Sequence, residues 1–152
     1  MGLNQKVFLT VPLLLCFSML CEAKGSGPKW ELISTTNHPD KTISWYVDMT
    51  SVVHEDDYMR ANLRTSWSTP QYGPNQVIYQ SSTYLNYFDC GTGRIAFTNN
   101  AYFFSTEPVG PTVHQEEELP LEKLKFQQVV PGSAGATRME FVCQFRSKNF
   151  RT

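Results

Sequence analysis

Beyond an N-terminal leader, the sequence has little cysteine: only Cys90 and Cys143 remain, and no CxxC or HxxxH spacing accompanies them. That scarcity leaves one intramolecular pairing and argues against a zinc pair. Long apolar runs are missing as well. Past residue 23 nothing approaches the roughly 20 apolar residues that cross a bilayer, so no transmembrane span is expected in the mature chain. Charge of one sign is also scarce, with 13 Lys and Arg against 14 Asp and Glu and a formal net charge of −1. The bases are scattered, whereas counterion release needs a clustered basic face, so no nucleic-acid partner is expected.

Catalytic constellations are absent too. An enzyme site calls for a nucleophile beside a base, paired carboxylates in a cleft, or a metal set, and none is legible; no catalytic residue, metal or cofactor is assigned. His38, His54 and His114 fall in expected loops. A surface metal site with Asp40, Asp56 or Glu116 is the functional reading, and solvated loop histidines are the simpler one. Asp89-Cys90 would be an activated thiol only if Cys90 had no disulfide partner. Gly91-Thr92-Gly93 lacks the helix and lysine of a phosphate loop and reads as a hairpin turn. Glu116-Glu117-Glu118 lacks the Asp-x-Asp-x-Asp-Gly ligand pattern of a calcium loop and reads as a solvated acidic face.

What is present begins with residues 1–23, which have the three parts of a signal peptide: Lys6, the apolar run Val7 to Leu20, and Cys21-Glu22-Ala23 as a small-residue cleavage site. The run is interrupted by Pro12 and is too short for a membrane anchor. Lipid attachment at Cys16 or Cys21 is the competing reading, but each follows a leucine where an acylation signal wants a small residue. Cleavage near Ala23 leaves a single domain, 24–152, in an extracytoplasmic space: secreted, periplasmic or at the cell surface. Such a compartment favours oxidation of Cys90 and Cys143. Their bond closes a loop of about 54 residues, for which chain entropy gives roughly 4 kcal/mol.

The mature chain reads as mostly β. Aromatics make up 13% of the sequence, and turn residues recur at intervals of about ten. Strands are expected over Lys29 to Ser34, Thr42 to Met49, Tyr58 to Ser68, Gln76 to Cys90, Arg94 to Ser105 and Phe126 to Val130. In the second, Ile43, Trp45, Val47 and Met49 share a face; in the third, Met59, Ala61, Leu63, Thr65 and Trp67 do, with Arg60, Asn62, Arg64 and Ser66 toward water. His54 to Asp57 is a hydrated turn, 69–75 a loop, and Asn99-Asn100 an irregularity. The stretch 106–125, with three prolines and the acidic run, is an exposed excursion with a mobile tip. Pro131-Gly132-Ser133 opens a helix capped by Ser133. Ala136, Met139 and Cys143 recur at helical spacing, which sets Cys143 on the buried face of a helix running to about Phe145. Cys90 shares a face with Tyr84, Asn86 and Phe88, so its bond would pin the helix to that side of the sheet. Arg146 and Lys148 suit the helix dipole, and Asn149 to Thr152 form a frayed tail. The fold class is α+β: an antiparallel meander of five or six strands with one C-terminal helix, its core about 29–146. Arg60, Asn62, Arg64 and the loop tyrosine Tyr72 are the binding candidates, because arginine and tyrosine bring large contact area and fixed donors.

An ordered set of motifs adds to this reading: Trp30-Glu31-Leu32-Ile33, then Trp45-Tyr46-Val47-Asp48 with Ser51-Val52, then Tyr87-Phe88-Asp89-Cys90 before an arginine strand, then Pro131-Gly132-Ser133 ahead of a helical cysteine. The set resembles the bacterial surface-adhesin protein E family from about Trp30 to Cys143. The resemblance implies an antiparallel sheet with a C-terminal helix fastened to its concave side by a disulfide. It also implies a homodimeric surface lipoprotein that binds host matrix and plasma proteins. The chain departs from that pattern in its poor acylation site and its acidic 106–125 stretch. Three functions are therefore carried: a non-enzymatic binding domain for a host or envelope protein; a self-associating structural or assembly protein of the cell envelope; and a secreted hydrolase or a regulator of one.

Overall fold

Strict alternation of apolar and polar residues gives the chain two-faced strands, and in the computed structural model, which describes residues 27–146, these build one antiparallel sheet of eight strands. The strands are β1 (Trp30–Asn37), β2 (Thr42–Asp48), β3 (Val53–Glu55), β4 (Tyr58–Tyr72), β5 (Ile78–Asp89), β6 (Arg94–Phe103), β7 (His114–Gln115) and β8 (Gln127–Gln128), followed by helix α1 (Ala134–Cys143). The main path runs β1-β2-β4-β5-β6-β7; β3 pairs with β4 and β8 with β6. The expected meander with one C-terminal helix is therefore the fold. The expected signal peptide 1–23, with Cys16 and Cys21, and the tail from Lys148 onward lie outside the described residues.

Register fixes which residues share a face. Val47 stands opposite Leu63 and Leu63 opposite Tyr84; Ala61 faces Asn86 and Asn86 faces Phe97; Met59 faces Phe88 and Phe88 faces Ile95. These form the inner face, on which α1 packs. Val47, Met59, Ala61, Leu63, Phe88 and Val142 are its fully buried core. Val142, outside the predicted Ala136–Met139–Cys143 stripe, is the buried residue of the helix, while Met139 and Cys143 flank it half-buried. Ser133 caps α1 as expected, its Oγ accepting from Ala136 N at 3.2 Å. The helix ends at Cys143, two residues short of expectation, and Cys143 is bonded to Cys90 with their Cα atoms 5.8 Å apart.

Three local expectations are corrected. His54 and Glu55 belong to β3, so the turn is Asp56-Asp57, with Asp56 in the left-handed region at φ 52°. Asp tolerates that region because its short side chain can satisfy the local backbone. β4 runs through Pro70 to Tyr72, because its pairing with β5 is already irregular between Ser66 and Gln71 and a residue without an N–H leaves no ladder bond unmade there. Tyr72 is thus the paired end of a strand, opposite Ile78. The 106–125 stretch returns to the sheet: His114 and Gln115 pair with Tyr102 and Ala101 as β7, and Leu121–Lys123 form a 3-10 turn. Thr98 Oγ1 accepts from Leu119 N at 2.7 Å, and Ser66 Oγ donates to Thr106 O at 2.7 Å, so the stretch runs along β6 and holds to the sheet through polar contacts. The irregularity at Asn99 is present, with φ 56° and a register shift opposite it between Thr83 and Leu85.

Candidate functional site

The outer face carries three of the four residues singled out from the sequence. Arg60 is half-exposed and pairs with Glu55 at 2.9 Å. Asn62 is exposed, and its backbone N–H donates to Ser51 Oγ at 2.8 Å. Both line a groove of about 410 Å³ with Thr50, Ser51, Val53 and Glu118. Asn62 is shared with a neighbouring groove of about 330 Å³ that extends to Trp30 and Phe103. Asn99 borders both grooves, its amide donating to Glu118 Oε2 at 3.0 Å.

Arg64 does not meet water as the alternation predicts; it is 4% exposed. Its guanidinium lies 3.9 Å from the centre of the Tyr46 ring and 5.4 Å from that of Trp30, and it pairs with Glu107. The reason is tertiary: the chain following β6 crosses this part of the face and brings Glu107 down onto it. A desolvated cation between aromatic rings with a carboxylate partner is a packing element. Tyr72 is 76% exposed but stands ten residues along β4 from Asn62, roughly 30 Å by strand rise. The structure thus unites Arg60 and Asn62, puts Arg64 beneath the same face, and leaves Tyr72 apart.

A second concavity lies on the inner face. Helix α1 has ten residues and is about 15 Å long, whereas β4 and β5 have 15 and 12 residues, so the helix covers only part of that face. Beside it opens a cleft of about 390 Å³. Its floor is polar although buried: Thr65, Ser82, Asn86 and Asn100. Tyr84, Phe97 and Trp67 supply rings, and Arg138 of α1 closes one side. Arg138 Nη1 donates to Tyr84 Oη at 2.7 Å, leaving that phenol to donate to Thr65 Oγ1 at 2.9 Å, and the guanidinium lies 5.9 Å from the centre of the Trp45 ring. At the far end, Tyr79 packs edge-on against Trp67 and Tyr102. Burial raises the Tyr79 phenol; burial, then the bond to Glu116, raises that of Tyr102, so both stay protonated hydrogen-bonding groups at neutral pH. Sequence reasoning missed this cleft. One signal was legible, an amide at Asn86 on the same strand face as Tyr84 and Phe88; Arg138 becomes informative only once the helix is docked.

Among the described residues, His38, His54 and His114 included, no group of three His, Cys, Asp or Glu side chains is placed to hold a metal. His54 and His114 lie in β3 and β7, not in loops. Asp89 serves the β5–β6 turn. Hydrogen bonds from the Thr92 side chain, then from Arg94, hold its carboxyl down at about 2, while Gly93 takes the left-handed φ of 72° that closes the turn.

The protein is thus a curled antiparallel sheet with a helix clasped to its inner face by a disulfide and with grooves on both sides. A family model described as surface-adhesin protein E matches residues 30–144, and the chain belongs to that family. Among solved structures, that of Haemophilus influenzae protein E is similar with a TM-score of 0.53 at 12% identity, covering 70% of this chain and 81% of that one. A crystal structure of protein E from non-typeable Haemophilus influenzae gives 0.51 at 11% identity, covering 70% and 73%. At such identities the likeness is one of fold. No curated protein matches the chain by sequence.

Proposed function

We propose that this chain is a non-enzymatic, extracytoplasmic adhesin-type protein that binds a protein ligand, a host matrix or envelope protein, through the outer groove at Arg60 and Asn62. Membership of the surface-adhesin family over residues 30–144 carries the reading. The Cys90–Cys143 bond supports an oxidising compartment. Arg60 offers a half-exposed guanidinium, Asn62 an exposed amide and Val53 an apolar contact in one concavity, a mixture that suits a protein surface. Arg64 acts from below by fixing the segment around Glu107. Tyr72 supplies a separate contact point.

The test is surface-plasmon-resonance binding of the oxidised mature chain to purified matrix and plasma proteins. Saturable binding to at least one of them, weakened about tenfold or more by Arg60→Ala with Asn62→Ala, is expected. No binding to any of them, or binding indifferent to that pair, contradicts the assignment.

A self-associating envelope protein is the second reading, and β1 favours it. β1 is the terminal strand of the sheet and carries the exposed Leu32, so its outer edge can pair with a second copy. Light scattering behind size-exclusion chromatography decides: a mass that doubles with concentration supports it, and a concentration-independent monomer removes it.

A further inference from the structure

Two groups in the inner-face cleft keep bonding capacity that the described residues do not use. The first is Arg138. Among the described residues no carboxylate forms an ion pair with it, none lines the cleft, and its Nε–H is buried without an acceptor. Arg64 also has an unbonded Nε, but Glu107 meets its charge. A half-buried cation without an anion is costly to keep. The second is Asn86, 1% exposed on the floor, with its side-chain carbonyl oxygen unpartnered. Buried polar groups are normally satisfied, so a buried donor and a buried acceptor left open in one concavity point to a ligand that completes them.

The rest of the lining indicates the chemistry. The hydroxyl of Ser82 and the amide of Gln127 both donate and accept, the Thr65 hydroxyl is shared with Tyr84 Oη, and the Asn100 amide donates to Glu116 Oε2 at 2.6 Å, a polar lining that suits a ligand bearing several hydroxyl groups. The Phe97 ring is 54% exposed and stands opposite Asn86, offering a flat apolar face beside the polar floor. Arg138 supplies a donor fork for a carboxylate. The volume accommodates a small ligand of one or two rings.

We propose that the cleft between α1 and strands β4–β6 is a binding site for an acidic saccharide, its carboxylate on Arg138, a hydroxyl or amide donor on Asn86 and its ring against Phe97. The site lies on the face opposite the groove of Arg60 and Asn62, so it stands or falls independently of the protein-binding reading.

The experiment titrates the oxidised chain with a disaccharide of glucuronate and N-acetylglucosamine, followed by tryptophan fluorescence and by the Arg138 Nε–H resonance. The neutral disaccharide of two N-acetylglucosamines and sodium acetate serve as comparisons. Expected are a saturable change with the acidic disaccharide, binding at least about tenfold weaker for the neutral one, and only non-saturating changes with acetate. Arg138→Gln should lose about tenfold or more. Because Arg138 also braces Tyr84, Phe97→Ala is the second variant: Phe97 is 54% exposed and packs edge-on against Tyr84, and its loss should weaken binding several-fold. No saturable change with the acidic disaccharide overturns the proposal. So does equal affinity for the neutral disaccharide or for acetate, or unchanged affinity in both variants.

Discussion

The inner face of the sheet has two halves that obey opposite rules. Under α1 the residues are apolar and closed: Met59, Leu63, Phe88 and Val142 are excluded from water, and a covalent bond holds the cover in place. Beside it, on β4, β5 and the neighbouring β6, lie Thr65, Ser82, Asn86 and Asn100, buried yet polar, under an open cleft. Burying apolar area stabilises a fold by about 25 cal/mol per Å², whereas a buried amide without a partner destabilises it. The covered half therefore carries the stability, and the open half keeps groups that folding alone would not select.

The contrast can be broken first at the disulfide. Replacing Cys90 and Cys143 by alanine removes a cross-link worth roughly 4 kcal/mol, measurable by urea denaturation; hydrogen exchange should quicken in α1 before it does in β5. Next in size is the outer-face cation. Arg64→Ala should cost about 2 kcal/mol, against less than about 1 for Arg60→Ala, whose ion pair is half-exposed, and the same denaturation assay separates them. Ser133→Ala, which leaves the Ala136 N–H of the first turn uncapped, should lower stability by about 1 kcal/mol. The smallest effect is pH-dependent. The folded Asp89 carboxyl is held at about 2, below its unfolded value, so its stabilisation is present above about pH 4 and is lost as the pH falls through 2. Asp89→Asn should therefore melt below the wild type at pH 7 and match it near pH 2.

Much of the sheet was legible because period-2 alternation survives folding wherever one face is buried, as in Met59, Ala61 and Leu63 of β4. The helix and its bond were legible from Ser133, the spacing to Cys143 and the presence of only two cysteines beyond residue 23. What alternation cannot reveal is what covers the other face. Arg64 reads as a solvent residue until the chain after β6 lays Glu107 across it. β7 carries no periodic signal in two residues and exists because the exposed edge of β6 offers unpaired backbone groups, whereas β8 falls within the strand expected over Phe126 to Val130. Of the candidate site, Arg60 and Asn62 were legible as a polar strand face. The inner cleft was not, since its two sides, Asn86 and Arg138, are brought together only when α1 docks.

Two phenylalanines on neighbouring strands provide the sharpest check on the division of labour across the inner face: Phe88 in β5, wholly enclosed, and Phe97 in β6, mostly in water. Their alanine variants, compared by unfolding free energy in urea, should differ widely, with a loss of about 3–5 kcal/mol for Phe88→Ala and under about 1 for Phe97→Ala. Equal losses would mean that the open half is core after all, and the separation drawn between a folding half and a binding half would be wrong.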